Sequence, residues 1–219
     1  MRNSYYSRLR GLAVTIPLAG VLWSGASVYA QNGVRGAAVE SHEGLTISAT
    51  PWTEASKYKE KFPKKSPYAA GIIAVQVAFH NDSDDSIKLE LSRIRMTVRL
   101  DSENTQELPS LSAEDVAQGV LKPGAKDPTK RSRIPLPVPV PRSNGDKNFV
   151  ELQRQAQEAS VPTGVVAPHS TVQGLLYFDL QNQFDLLETA HLYVPELAFM
   201  RGNRPLTYFD IDLGQRGAQ

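Results

Sequence analysis

The chain has 219 residues, a hydrophobic fraction of 41% and a formal net charge of +1. It contains no cysteine, which excludes a disulfide-bonded scaffold, a thiolate metal site and a cysteine nucleophile. The balanced charge argues against a dedicated nucleic-acid-binding protein, and the hydrophobic fraction is sufficient for a folded core.

The first 30 residues have the composition of a secretory signal peptide. Three arginines precede an apolar stretch over residues 12–23, and the small-x-small sequence Val28-Tyr29-Ala30 follows. The apolar stretch is shorter than the roughly 20 residues that cross a bilayer. We therefore predict cleavage after Ala30 and export to the periplasm or beyond, with no membrane span in the mature chain. An uncleaved N-terminal anchor is the alternative. Loss of the three arginines changes the net charge from +1 to −2.

Alternating apolar and polar residues predict β-strands in two blocks of the mature chain. Residues 31–43 are small and polar and predict a flexible start, whereas residues 53–67 carry five lysines and predict a solvated loop. Residues 214–219 predict a polar tail. The predicted strands cover residues 45–50, 71–80, 87–100, 172–180, 191–200 and 207–213.

Two of these predicted strands depart from simple alternation. In residues 87–100 the apolar positions change parity at Ser92-Arg93, which predicts a bulge or a strand that passes from one sheet to another. Pro195 lies within residues 191–200. Because proline cannot donate a backbone hydrogen bond, it predicts an edge strand or a bulged strand there. Both features are typical of β-sandwiches, in which strands at the corners can change sheet.

Residues 101–165 lie between the two blocks and predict an insertion. Ser112 begins a capping-box pattern ahead of a helix of about two turns, and a second helix is predicted over residues 148–159. The segment has too few apolar residues for a core of its own, whereas the two blocks together approach the size of an immunoglobulin-type sandwich. We therefore predict a mainly β fold. It is an immunoglobulin-like antiparallel β-sandwich over residues 44–213, with a Pro-rich, partly helical insertion at 101–165.

Residues 75–99 and 165–180 carry a turn motif and a strand motif that belong together. The first strand ends in an asparagine at a turn of the type N-x-S-D, at Asn81 to Ser83, and Pro168 precedes the second strand. The core positions of that second strand are Gly174, Leu176 and Phe178. In these features the chain resembles the telokin-like, immunoglobulin-like domains of exported bacterial proteins, although His169 stands where that family has glycine. The resemblance implies an extracytoplasmic, non-enzymatic module, often of unknown role, and it does not extend to the insertion.

One turn offers weak candidates for a metal site. They are His80, Asp82, Asp84 and Asp85. Carboxylate oxygens suit Ca²⁺, and His80 could approach His169 if their strand ends adjoin. A calcium loop of the EF-hand type would need glycine and glutamate where Ile87 and Arg93 stand. We therefore predict a solvated turn, with no metal and no cofactor. A secreted small-ligand or metal-binding protein that uses residues 80–85 is the alternative function.

Three common catalytic motifs are absent from the sequence. It contains no GxSxG, HExxH or phosphate-binding glycine loop. Asp179, Asp210 and Asp212 fall on the outward faces of predicted strands, where carboxylates are ordinarily solvated. We predict no catalytic residue and no enzyme activity, and a secreted hydrolase is the third alternative.

The insertion is the best candidate for partner contact, because loops held by a rigid scaffold often carry binding. The candidate partner-binding residues are Lys130, Arg131, Arg133, Pro135, Pro137, Pro139 and Pro141. Alternating proline favours an extended strand or a polyproline II segment, which a partner can bind at low entropic cost. The alternative is a solvated loop that covers a sheet edge. We predict an exported, non-enzymatic binding or structural module of the cell envelope, with contacts through residues 101–165 and its oligomeric state open.

Overall fold

A computed structural model describes residues 37–101, 104–121 and 147–214. The predicted signal peptide, the candidate partner-binding residues 130–141 and residues 215–219 of the predicted tail lie outside these ranges. Among the described residues, no helix combines the length and the apolar character needed to cross a membrane.

The described residues form a mainly β fold of twelve strands and three α-helices. The strands are β1 Ala38–His42, β2 Leu45–Pro51, β3 Ile72–Asn81, β4 Ile87–Leu89, β5 Arg95–Arg99, β6 Thr105–Pro109, β7 Val165–Val166, β8 Ser170–Asp179, β9 His191–Val194, β10 Leu197–Phe199, β11 Arg204–Pro205 and β12 Phe209–Asp212. The helices are α1 Ala55–Lys61, α2 Ala113–Leu121 and α3 Lys147–Ala159.

The strands pair into three antiparallel sheets. Sheet A has the order β1-β2-β3-β8, sheet B the order β11-β10-β4-β7, and sheet C the order β12-β9-β5-β6. One hydrophobic core contains inward side chains from all three sheets, as expected of a sandwich. This arrangement confirms the predicted mainly β sandwich. The largest fully buried side chains of this first core are Leu45, Ile47, Ile73, Phe79, Ile87, Ile94, Phe178 and Phe209.

The parity change at Ser92-Arg93 marks a strand that changes sheet. β4 belongs to sheet B, a 3₁₀ turn follows at Leu91–Arg93, and β5 then continues in sheet C. The predicted strand 191–200 is divided in the same way into β9 and β10, and Glu196 between them has a φ of 53°. The guanidinium of Arg93 lies 2.9 Å from the Glu196 carboxylate, so an ion pair joins the two crossing points.

A second core covers the outer face of sheet A. Its buried residues are Tyr58, Phe62, Ile72, Ala74, Ala113, Val116, Ala117, Leu152, Ala156, Leu175 and Tyr177. They come from the three helices and from the outward positions of β3 and β8. The neighbouring strands β3 and β8 therefore bury apolar side chains on both faces, and burial of those outward side chains stabilises the helix layer. Helix α3, which corresponds to the helix predicted over residues 148–159, packs on the sandwich.

The prediction of a solvated loop over residues 53–67 is wrong. α1 lies within this range, and both Tyr58 and Phe62 are buried in the second core. These two residues are four apart and therefore share one face of a helix, while the lysines occupy the exposed positions. The lysines therefore indicate that one face of this helix is exposed to solvent, and they do not indicate that the whole segment is a loop.

Four strands lie where the sequence predicts none, and two of them, β7 and β11, have only two residues each. β1 occupies part of the predicted flexible start 31–43 and pairs with β2 along its whole length. β6 lies within the predicted insertion, but it pairs with every residue of β5 and is an edge strand of sheet C. The inserted part of the chain therefore begins after Pro109 and not at residue 101.

The predicted capping box at the start of α2 is confirmed. The Ser112 hydroxyl accepts a hydrogen bond from the N–H of Asp115 at 3.1 Å and donates one to its carboxylate at 2.8 Å. Helix α3 begins one residue before the predicted range. Where the chain leaving α3 crosses β8, a Cβ on Gly174 would collide with the backbone of Ser160 and Val161, so this close approach needs glycine.

The first and last strands lie side by side and close one corner of the sandwich. The imidazole of His42 in β1 stacks on the ring of Phe209 in β12, with centroids 3.7 Å apart. Glu40 of β1 accepts a hydrogen bond from the N–H of Asp210 at 2.9 Å. A carboxylate thus satisfies a backbone donor on the edge strand β12, which leaves that edge less able to pair with another chain.

Candidate functional site

The turn after β3 is organised by the buried side chain of Asn81. Its amide nitrogen lies 2.7 Å from the carbonyl oxygen of Asp85, 3.2 Å from that of Val166 and 3.1 Å from that of Ala167. Its amide oxygen accepts hydrogen bonds from the N–H and the hydroxyl of Ser83. The asparagine of the N-x-S-D motif therefore links the turn to the segment that precedes β8.

Two of the weak metal-site candidates pair with each other, and the other two have partners outside the set. Asp82 lies 2.9 Å from His80, and Asp84 lies 2.9 Å from His169. The Asp85 carboxylate instead accepts a hydrogen bond from the backbone N–H of Arg201. Among the described residues, no three His, Asp or Glu side chains converge on a point that could hold a metal ion. The structure therefore does not assemble a metal centre from residues 80–85.

His169 has a φ of 51°, which lies in the left-handed region where glycine is favoured. This is the position at which the chain departs from the pattern it resembles. The imidazole pairs with the exposed Asp84 across the turn, so the side chain makes a contact that glycine could not make.

The second candidate site is an open groove of about 520 Å³ beside the crossing of sheets B and C. Its volume lies within the range of small-ligand sites in proteins. The groove is lined by Arg93, Arg95, Tyr193, Pro195, Glu196, Leu206, Thr207 and Tyr208. The side chains available for contact include two phenols and two guanidiniums, which are residue types enriched at protein interfaces.

We call this groove the tyrosine groove, after Tyr193 and Tyr208 in its lining. Strand register explains how it is assembled. Arg95 on β5 lies directly opposite Tyr193 on β9. Each of them alternates with buried core residues, so both side chains emerge on the outer face of sheet C. Tyr208 lies just before β12, and its ring centroid is 5.4 Å from that of Tyr193 at an interplanar angle of 52°. Tyr208 is 55% exposed.

Each guanidinium in the tyrosine groove already has a carboxylate partner. Arg93 lies 2.9 Å from Glu196, and Arg95 lies 2.6 Å from Glu107 on the neighbouring strand. The lining therefore carries little uncompensated charge, although each guanidinium retains further N–H donors because arginine has five. The arrangement favours a neutral ligand with hydrogen-bond acceptors and an apolar surface.

Glu43 holds one wall of the groove in place. Its carboxylate accepts a hydrogen bond of 2.6 Å from the backbone N–H of Thr207. This hydrogen bond is the main cause that holds the pKa of Glu43 below its usual range.

We expect the carboxyl carbon of Glu43 and the amide proton of Thr207 to titrate together in an NMR experiment, with a midpoint below the ordinary pKa of a glutamate. Because the pKa of Glu43 is lowered in the folded state, the ionised carboxylate stabilises the fold above the unfolded-state pKa. This stabilisation is lost as the pH falls through the folded-state pKa. In Glu43→Gln the Thr207 titration should vanish. A Thr207 amide that does not respond to acid in the wild-type protein would contradict this hydrogen bond.

The phenols with clearly raised pKa values lie in the second core and not in the tyrosine groove. Burial raises the pKa of both Tyr58 and Tyr177. The hydroxyl of Tyr58 donates to the carbonyl of Trp52 and accepts from the N–H of Ala74, so it serves the fold. These shifted groups do not mark a catalytic site.

The candidate partner-binding residues 130–141 lie outside the described ranges, but the helices on either side of them are described. α2 ends at Leu121 and α3 begins at Lys147. Both helices contribute buried residues to the second core. The two ends of segment 122–146 are therefore fixed to the outer face of sheet A.

No motif in the sequence marks the tyrosine groove. The parity change at Ser92-Arg93 and Pro195 indicated the crossing of the sheets, but not that the two crossings are adjacent. Arg95 and Tyr193 are far apart in the sequence and meet only through strand pairing. Their outward positions in alternating strands were the one available signal.

Comparisons with known proteins do not assign a family. No protein-family model matches the chain, and no curated protein matches it. One similar solved structure is described as the crystal structure of a functionally unknown protein from Listeria monocytogenes EGD-e. The two chains are 15% identical, with a TM-score of 0.33 over 72% of this chain and 70% of that chain. A similarity this weak carries no argument about function.

Proposed function

We propose that this protein is an exported, non-enzymatic binding module of the cell envelope, built on an immunoglobulin-like sandwich. Its partner contact lies in segment 122–146. The observation that carries this proposal is the fixing of α2 and α3 on sheet A by the second core, since a segment held at both ends by a rigid scaffold is well placed for binding. The basic and Pro-rich composition of residues 130–141 supports contact with an acidic or extended partner.

Two observations favour this function over its alternatives. The carboxylates of Asp82, Asp84 and Asp85 each have another partner, which disfavours a metal-binding protein that uses residues 80–85. The phenols with raised pKa values are buried in the second core, which disfavours their use by a hydrolase.

Replacement of residues 122–146 by a Gly-Ser linker of equal length should abolish recovery of the partner from envelope extracts. The thermal midpoint should stay within about 2 °C of the wild-type value, because the substitution leaves every described residue of the second core in place. Recovery is measured by affinity capture on the immobilised full chain. Unchanged recovery would overturn the proposed contact.

A charge-matched control separates a specific contact from a general loss of positive charge. Lys130→Ser, Arg131→Ser and Arg133→Ser together should reduce recovery. The same number of charges removed at the exposed Lys59, Lys61 and Lys65 should not. Equal losses in the two triple variants would show that the interaction depends only on net charge.

A further inference from the structure

The tyrosine groove exposes groups that the fold itself does not use. Among the described residues, the hydroxyls of Tyr193 and Tyr208 have no hydrogen-bond partner, and Tyr208 is 55% exposed. The rings contact each other and leave part of their faces in solvent. One exposed and one half-buried tyrosine beside two arginines, in a groove next to a sheet crossing, have the composition of an interaction hot spot.

The ligand that fits this chemistry is an extended, proline-containing peptide. Proline has no N–H, so such a peptide presents more carbonyl acceptors than donors. The groove offers the opposite balance, because its phenols and guanidiniums are donors. Proline rings also pack well against aromatic side chains, which is the basis of polyproline recognition in aromatic-lined grooves.

The chain itself contains such a segment. Residues 134–141 read IPLPVPVP, with a proline at every second position. Half of the residues in this segment therefore have no backbone N–H to donate. Lys130, Arg131 and Arg133 precede it. Beside the groove, Asp210 lies directly opposite Tyr193 and its side chain is 51% exposed. Its carboxylate lies 3.3 Å from the imidazole of His191, and its exposed part can also be approached by the basic residues that lead into the prolines.

The geometry favours a second copy of the chain as the source of this segment. Arg95 and Tyr193 emerge on the outer face of sheet C, whereas α3 packs on the outer face of sheet A. A helix layer and two sheets place these faces about 20 Å apart even along a straight line through the core. The chain from Pro141 to Lys147 spans at most about 20 Å when fully extended, and it must pass around the molecule.

We infer that the tyrosine groove of one molecule binds residues 134–141 of a second copy of this chain. The inference rests on the proposed function, because it names the partner of segment 122–146. The groove and the segment are different surfaces, so the contact is heterologous.

A labelled synthetic peptide of residues 129–142 tests this inference by fluorescence anisotropy with the purified full chain. We expect saturable binding that is weakened about tenfold or more by Tyr208→Ala. Met200→Ala is the matched control, since Met200 is also 55% exposed but does not line the groove. It should leave the affinity unchanged. A peptide with all four prolines replaced by alanine should bind at least about tenfold more weakly.

Sedimentation of the full chain provides the second readout. Concentration-dependent association should be present in the wild-type protein and lost in Tyr208→Ala and in the chain with 122–146 replaced. Peptide binding that is insensitive to Tyr208→Ala overturns the inference. Peptide binding only to the chain with 122–146 replaced, with a monomeric wild-type protein, also overturns it, because the segment then occupies the groove of its own chain.

The inference and the proposed function can fail separately. If the peptide does not bind, but replacement of 122–146 still abolishes capture from envelope extracts, the partner is another molecule and only the inference is wrong. If that replacement changes neither capture nor association, the proposed function is wrong as well.

Discussion

Replacement of Asn81 by alanine should lower the free energy of unfolding by about 3 kcal/mol, because several buried polar groups lose their partners at once. The amide nitrogen serves the carbonyl oxygens of Asp85, Val166 and Ala167, and the amide oxygen serves Ser83. Asn81 is fully buried, so water does not replace these contacts without a rearrangement of the turn. Urea unfolding followed by circular dichroism measures the loss.

Gln173→Ala is the matched control for this prediction. Gln173 lies on β8 with an exposed side chain, so its removal should change stability by less than about 0.5 kcal/mol. A loss at Asn81 no larger than this would show that the turn does not depend on the amide.

Asn81→Asp removes the amide donor but keeps the size of the side chain, so it separates these two contributions to stability. The ionised aspartate would face three carbonyl oxygens without a proton to donate, so its folded-state pKa should lie above its unfolded-state value. A raised acid pKa means that the folded state binds more protons, so stability falls as the pH rises above about 4. The difference in unfolding free energy between Asn81→Asp and the wild-type protein should therefore be larger at pH 7 than at pH 4. A gap that is independent of pH would contradict the burial of this side chain.

Tyr58→Ala should cost about 4 kcal/mol of unfolding free energy, because a large aromatic side chain leaves a cavity in the second core. Tyr58 is fully buried and packs edge-on against Trp52, with ring centroids 5.4 Å apart. Tyr58→Phe removes only the hydroxyl and strands the N–H of Ala74 and the carbonyl of Trp52, so its cost should be about 1–2 kcal/mol.

The matched control for Tyr58 is Tyr208→Ala in the tyrosine groove. Tyr208 is 55% exposed, so the substitution should change stability by less than about 1 kcal/mol. Equal effects of the two alanine substitutions in urea unfolding would mean that α1 is not packed on sheet A.

Period-two alternation predicted the sandwich correctly where one face of a strand is buried. In β3, Ile73, Val75, Val77 and Phe79 all lie in the first core, as their spacing requires. The change of parity at Ser92-Arg93 predicted either a bulge or a change of sheet, and the structure has the change of sheet, because side chains of both β4 and β5 must reach the same core. Both features depend on residues that are adjacent in the chain, so the local sequence is sufficient to predict them.

Features that depend on distant parts of the chain were not predictable in this way. β6 has mostly exposed residues and is held by pairing with β5, so no apolar period marks it. Tyr58 is buried because α2, α3 and sheet A surround it, and the lysines beside it suggest a solvated loop. The tyrosine groove requires β5 and β9 to be neighbours, which only the register of sheet C establishes.

The adjacency of β1 and β12 determines how the module is attached to the rest of the chain. Glu40 pairs with Asp210 and Glu43 with Thr207, so the two strands run in opposite directions, and Ala38 lies at the same end as Asp212. The first residue of β1 and the last residue of β12 are therefore neighbours at one corner of the sandwich. We expect a pulling force applied at these two points to peel β1 and β12 from the corner one contact at a time and not to shear the sheets along their length. The rest of the sandwich would then lie to one side of the line of force.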